Sequence, residues 1–230
     1  VLGYAWVILN PFFQMLVMAF VFSIIMRIPN LGVPYPIFLY AGLLPWTLFS
    51  NSLISTTNSL VGNAGLITKI YFPREIFVIS TIMAKIVDFL LASTIFVAFM
   101  IYFQIPATWN LLWVIPIFAI QQLFTYGLSL FLASANLFYR DIQYLLGLII
   151  LIWMYLTPVI YSTELFPEKY RWIFQLNPMA VIINAYRQVI LAGGIPNLRS
   201  LAIALGLSVF LLIGGYKFFK KLEGVFADIV

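Results

Sequence analysis

A chain of 230 residues that is 64% hydrophobic and 8% charged carries more apolar surface than a water-soluble core of its size can enclose, and it belongs in a bilayer. Cysteine and histidine are both absent, which removes disulfides, thiol chemistry, the usual zinc sites and the commonest general base. The net charge of +5 is modest and fits Lys and Arg retained beside a membrane better than nucleic-acid binding.

The apolar runs approach the ~20 residues that cross a hydrocarbon core of roughly 30 Å, and they do not alternate as barrel strands would. They predict spanning helices. The first covers about residues 6–26, is interrupted by Asn10, Pro11 and Gln14, and ends at Arg27. Pro11 is expected to kink it, because proline lacks an amide donor and crowds the preceding turn. Its apolar run has no basic leader of the kind a cleavable signal peptide shows. Residues 28–36 hold three prolines and a glycine and form a turn-rich outer connection.

The second span covers 37–61. Its half from residue 50 onward is rich in Ser, Thr and Asn, which either bond within and between helices or line a polar passage. Residues 62–75, GNAGLITKIYFPRE, are a short basic connection on the cytoplasmic side, where an outside partner can push on the chain. The third span, 76–103, contains Lys85 and Asp88, three residues apart on one helix face. Charges in hydrocarbon cost at least ~2.5 kcal/mol each on insertion scales, so this pair either has a function or sits where Lys85 snorkels to the interface.

The fourth span covers 111–137, followed by the tight connection NLFYRD at 136–141. The fifth covers 142–161, with Pro158 expected to bend its outer end. Residues 162–191 are polar at first, then apolar, and are broken at Asn177-Pro178. This pattern predicts a re-entrant pair of short helices, tolerated at membrane depth only where protein or a water-filled cavity covers it. The sixth span, 198–219, runs into Lys217, Lys220 and Lys221. Six spans put both termini on one side. Six basic residues, Lys69, Arg74, Arg140, Lys217, Lys220 and Lys221, fall on that side against five, Arg27, Lys169, Arg171, Arg187 and Arg199, on the other. The terminal lysines favour termini inside. The whole of 1–230 reads as one transmembrane domain.

No nucleotide-binding loop is present: residues 62–69 lack the Gly-Lys-Ser/Thr ending that cradles phosphates. The chain cannot hydrolyse ATP alone, and without His or Cys it has no evident acid-base or nucleophilic set for an enzyme. An ion-driven carrier centred on Lys85 and Asp88 stays open as a rival, although no internal two-fold repeat supports it.

Four stretches, ITKIYFPRE at 67–75, NLFYRDI at 136–142, TPVIYS at 157–162 and LNPM at 176–179, resemble, in this order, the type-2 ABC permeases that export polysaccharides. Among these the O-antigen exporters are the nearest in pattern. The resemblance covers essentially the whole chain; the amphipathic interfacial helix with which such permeases begin is expected to be missing or truncated here. It implies an all-α integral membrane fold of six transmembrane helices with a re-entrant pair before the last, working as a homodimer in the bacterial inner membrane. It also implies two copies of a separate cytoplasmic ABC ATPase, which would hold the ATP and magnesium, this chain having no cofactor. The cargo it implies is a glycan linked to an undecaprenyl-type lipid.

By position, the resemblance makes Lys69, Tyr71, Phe72, Pro73, Arg74 and Glu75 the segment that seats in the ATPase, with Tyr139, Arg140 and Asp141 as a second contact. Physically, Tyr71 and Phe72 supply an apolar anchor, Pro73 stiffens the turn and Arg74 offers two donors to a partner carboxylate. Aromatic residues make up 18% of the chain, and their faces suit sugar rings. Phe13, Phe20, Trp153, Tyr155 and Tyr161 are the candidates for a substrate path, with packing or an interfacial belt as the competing reading. Arg187 is expected to meet lipid phosphate at an outer gate. A teichoic acid, a capsule, a drug or a lipid is the alternative cargo.

Overall fold

The computed structural model describes residues 3–25, 32–67 and 72–226, and among them helices are joined by turns with no strand. Helix α1 (Gly3–Ala19) accommodates Pro11 and continues as a π-helical stretch, Phe20–Ile25. Helix α2 (Tyr35–Thr57) lies at the centre of the bundle, packed by α1 and by four later helices. It is enclosed on nearly all sides: Ile37, Leu39, Tyr40 and Phe49 are fully buried although they point in different directions.

The expected second span stops short of residue 61. After Thr57 come two single turns, α3 (Ser59–Gly62) and α4 (Ala64–Ile67). The hydroxyls explain the break, because Thr56, Thr57 and Ser59 bond back to carbonyls of Ser52, Leu53 and Thr56 and compete with the regular ladder. Thr56 also donates across to Ser129, and Asn136 donates to the Thr57 carbonyl, so the end of α2 is tied to α6.

Helix α5 (Glu75–Tyr102) follows the expected third span closely. A 3₁₀ turn at Trp109–Trp113 leads into α6 (Val114–Phe138). Helix α7 (Ile142–Leu156) is shorter than expected for 142–161. Pro158 does not bend it but ends it: Thr157, the residue before the proline, is extended at φ −101° and ψ 136°. Residues 157–162 then run as irregular backbone. The 162–191 stretch contains two 3₁₀ segments, Thr163–Leu165 and Glu168–Leu176, and α8 (Pro178–Ile190). The expected break at Asn177-Pro178 is where α8 begins, with the Asn177 side chain capping the Met179 N–H at 3.1 Å and Pro178 in the first turn. The two halves are unlike: the 3₁₀ segment is exposed, while α8 is enclosed by α2, α6 and α9.

Helix α9 (Leu198–Glu223) packs along α6. Gly127 and Gly215 make this possible, since a Cβ on Gly127 would lie 2.6 Å from the Leu212 nitrogen and one on Gly215 would overlap the Gly127 carbonyl. Among the described residues four helical stretches are long and apolar enough to cross a membrane: Tyr35–Thr57, Glu75–Tyr102, Trp109–Phe138 and Leu198–Glu223; Leu9–Ser23 and Ile142–Leu156 are shorter apolar helices.

Candidate functional site

At one end of the bundle the start of α5 meets the end of α9. The Lys220 ammonium lies 3.0 Å from Glu75 and 2.8 Å from Glu223, and the Glu223 carboxylate accepts the Arg74 N–H at 3.2 Å. The Arg74 guanidinium donates to the Glu223 carbonyl and lies over the Phe226 ring, 6.0 Å from its centroid. Phe226 is fully buried, in edge contact with Phe219 at 5.3 Å and with Phe138 at 6.4 Å. The two segments expected to touch a partner are therefore built on one apolar plug: Arg74 on one side of Phe226, the end of α6 on the other.

Phe72 is half-buried against Phe77 at 5.0 Å, while Pro73 is exposed. Tyr139, Arg140 and Asp141 are all exposed, Tyr139 at 72%. Their turn is held by Asn136, whose side chain accepts the Gln143 N–H at 3.1 Å while donating to Thr57. Lys69 and Tyr71, and Arg27, lie outside the described residues.

At the opposite end, Arg187 clasps irregular backbone. It is 7% exposed, and its donors reach the carbonyls of Phe38 (3.2 Å), Pro158 (2.5 Å), Val159 (2.5 Å) and Tyr161 (3.4 Å), with the guanidinium 3.7 Å from the Phe38 ring centroid. The side chain expected to face lipid phosphate is turned into the protein, where it satisfies carbonyls of the irregular stretch that follows α7. Gly42 on α2 leaves the room: a Cβ there would stand 2.5 Å from the guanidinium.

Beside this clasp, Trp153, Tyr155 and Tyr161 line one apolar groove of about 710 Å³ with Phe166 and Phe174. The indole of Trp153 donates to Asn177 at 3.1 Å, and Asn177 donates to Thr157 at 2.9 Å. Phe13 and Phe20 do not join them; they are exposed on α1 and its π-helical extension. Lys85 and Asp88 pair at 3.0 Å within a cleft bounded by α1, α2 and α5.

Residues 1–191 match the model of the family described as ABC-2 type transporter. The chain belongs to that family. As an ABC-2 transporter protein it is 35% identical to the O-antigen export system permease protein RfbA of Klebsiella pneumoniae, over all of this chain and 88% of that protein. It is 30% identical to the RfbA protein of the same description from Myxococcus xanthus, over 99% of this chain and 87% of that one. The polysialic acid transport protein KpsM of Escherichia coli is 24% identical, over 93% and 83% of the two chains.

In this ABC-2 chain, reading along the sequence passed over Glu223, Phe226 and Asn136. Glu223 lies beyond the expected last span, 198–219, and its tie to Arg74 runs across 149 residues. Only the Lys-x-x-Glu spacing at Lys220 and Glu223 hinted at a local pair, and nothing in it pointed to Arg74.

Proposed function

We propose that this chain is the membrane subunit of an ABC exporter that carries lipid-linked polysaccharide of the O-antigen kind from the cytoplasmic to the outer face of the bacterial inner membrane. The observation that carries the reading is the 35% identity, over the entire chain, to a protein named for O-antigen export. The relative named for polysialic acid transport keeps the cargo among glycans. In this reading α1 with its π-helical extension, α2, α5, α6, α7 and α9 make six crossings, both termini are cytoplasmic, and two copies of the chain form the pathway. Helix α7, at 15 residues, is about 22 Å long, so the irregular 157–162 stretch completes its crossing under the cover of α2 and α8.

A separate ABC ATPase binds ATP and magnesium, and its stroke reaches this chain through the Phe72–Glu75 turn and the Tyr139–Asp141 turn. The shared plug at Phe226 supports this: a push on either turn moves α5, α6 and α9 together. Family membership leaves the ion-driven reading of Lys85 and Asp88 without support, since an ABC partner supplies the energy.

The test is to purify the chain with its cognate ATPase and to restore surface glycan in cells lacking the permease. A stable complex with glycan at the cell surface is expected. A complex without surface glycan would move the cargo to another class, and failure to bind any ABC ATPase would overturn the reading.

A further inference from the structure

Within three helices, between the two sites described above, polar side chains converge on one face of the bundle. Asn10 and Gln14 on α1, Asn51 on α2 and the Lys85–Asp88 pair on α5 line one cleft of about 310 Å³, with Trp6 at its edge. Lys85 lies about ten residues, or roughly 15 Å, from the start of α5, and Asn51 lies six residues from the end of α2, so the cleft lies within two helices long and apolar enough to cross a membrane. Asn10, Gln14 and Asn51 are exposed and make no hydrogen bond to any described residue. Three free amides and an ion pair facing hydrocarbon are costly, so this face meets water or a polar ligand and not acyl chains.

The chemistry of the lining narrows the ligand. Lys85 and Asp88 cancel one another at 3.0 Å, which leaves no net positive field for a phosphate or a sulfate. Planar amides and a carboxylate offer paired donors and acceptors of the kind that match the neighbouring hydroxyls of a sugar. Trp6, 60% exposed, gives an indole face for the apolar side of a sugar ring. The volume is at the lower end of ligand pockets, about 300 Å³, enough for a short piece of glycan.

We propose that this cleft between α1, α2 and α5 is a binding site for uncharged sugar units, with Asn10, Gln14, Asn51, Lys85 and Asp88 bonding to hydroxyls and Trp6 stacking on the ring. The proposal rests on the glycan-export reading and adds a defined place where the cargo touches the chain. In the aromatic groove at Trp153 and Tyr161 the Asn177 amide is already bonded to Trp153 and Thr157 and the Tyr161 hydroxyl to the Tyr155 carbonyl, whereas the amides of this cleft are free.

The chain contains no cysteine, so a single introduced thiol is a clean reporter. Asn51→Cys would be labelled with a water-soluble methanethiosulfonate in membranes containing the partner ATPase, from cells that make the glycan and from cells blocked in its synthesis. Leu90→Cys, on an exposed apolar part of α5, is the lipid-facing reference. Labelling of Asn51→Cys tenfold faster than the reference, slowed at least fivefold by the glycan, is expected, and Asn51→Leu with Gln14→Leu should lower surface glycan about tenfold. Labelling no faster than Leu90→Cys, equal rates with and without glycan, or a spontaneous disulfide between two copies at residue 51 would each overturn the site. Export by the natural chain is measured in the same cells: if it exports and the thiol is unprotected, only the cleft falls, whereas no export removes the functional reading and the cleft together.

Discussion

The backbone N–H of Arg74 donates to the Glu223 carboxylate at 3.2 Å, which ties the first turn of α5 to the last turn of α9. Arg74 was expected to keep its donors for a partner's carboxylate, yet the same side chain also serves the Glu223 carbonyl. Replacing Glu223 by Ala therefore acts on the isolated permease, before any ATPase is present. Part-exposed charge networks contribute on the order of 1 kcal/mol, so the thermal midpoint in detergent should fall by roughly 2–4 °C. Arg74→Ala should cost a similar amount, and the double variant should cost close to the sum, because each side chain bonds to the other residue's backbone, which the other substitution leaves in place. A double loss well below the sum would show that the two side chains act as one unit.

Arg187→Ala should be far more damaging. Four carbonyls lose their donor at once, and buried polar groups left unpaired cost ~1–3 kcal/mol each. Monodisperse protein on size exclusion should fall several-fold. Arg187→Lys should recover only part of it, since an ammonium cannot span Phe38, Pro158 and Val159 as the planar fork does. Normal yields of Arg187→Ala would contradict the clasp.

Gly42→Ala tests the same clasp from α2. Its Cβ would meet the guanidinium at 2.5 Å and the Val159 carbonyl at 3.1 Å, so Arg187 must shift. Overpacking of this kind costs typically ~1–3 kcal/mol, read as a lower thermal midpoint. Gly62→Ala, with open space around it, is the control and should be near neutral.

Gly215→Ala should part α6 from α9, because backbone cannot yield as a flexible side chain can. A loss of folded protein exceeding that of Gly42→Ala is expected in the same assay. Gly214→Ala, one residue away with nothing nearby, should leave it unchanged.

Asn177→Ala removes the cap of α8 and leaves the Trp153 indole and the Thr157 hydroxyl without this partner. A cap alone is worth about 1 kcal/mol, so a loss of roughly 2–3 kcal/mol should appear as faster proteolysis within 157–177. Asn177→Asp keeps the cap acceptor but loses the donation to Thr157, and should fall between the two.

Much of this protein is written locally. Twenty or so apolar residues with few charges must form a helix in lipid whatever surrounds them, because hydrocarbon offers the backbone no other partner. The long helices α5, α6 and α9 therefore appear where the composition places them, and Pro178 after Asn177 starts α8 by chain stereochemistry alone. The family likeness is also local, since it resides in short runs such as ITKIYFPRE and NLFYRDI.

Packing decided the rest. The sequence shows Arg187 as a cation in an apolar stretch, but whether it faces phosphate or carbonyls depends on α2 and 157–161 arriving beside it. Hydroxyls from Ser50 to Ser59 could line a passage or knit helices. Ser50, Thr57 and Ser59 turn back to carbonyls of their own stretch, Thr56 also reaches across to Ser129, and within this stretch Asn51 faces the cleft with Lys85 and Asp88. Glu223 and Phe226 look like tail residues until α9 brings them under Arg74. A side chain's charge and hydropathy follow from its type, whereas its burial and its partner depend on which helices meet, and that is settled only when the whole bundle has packed.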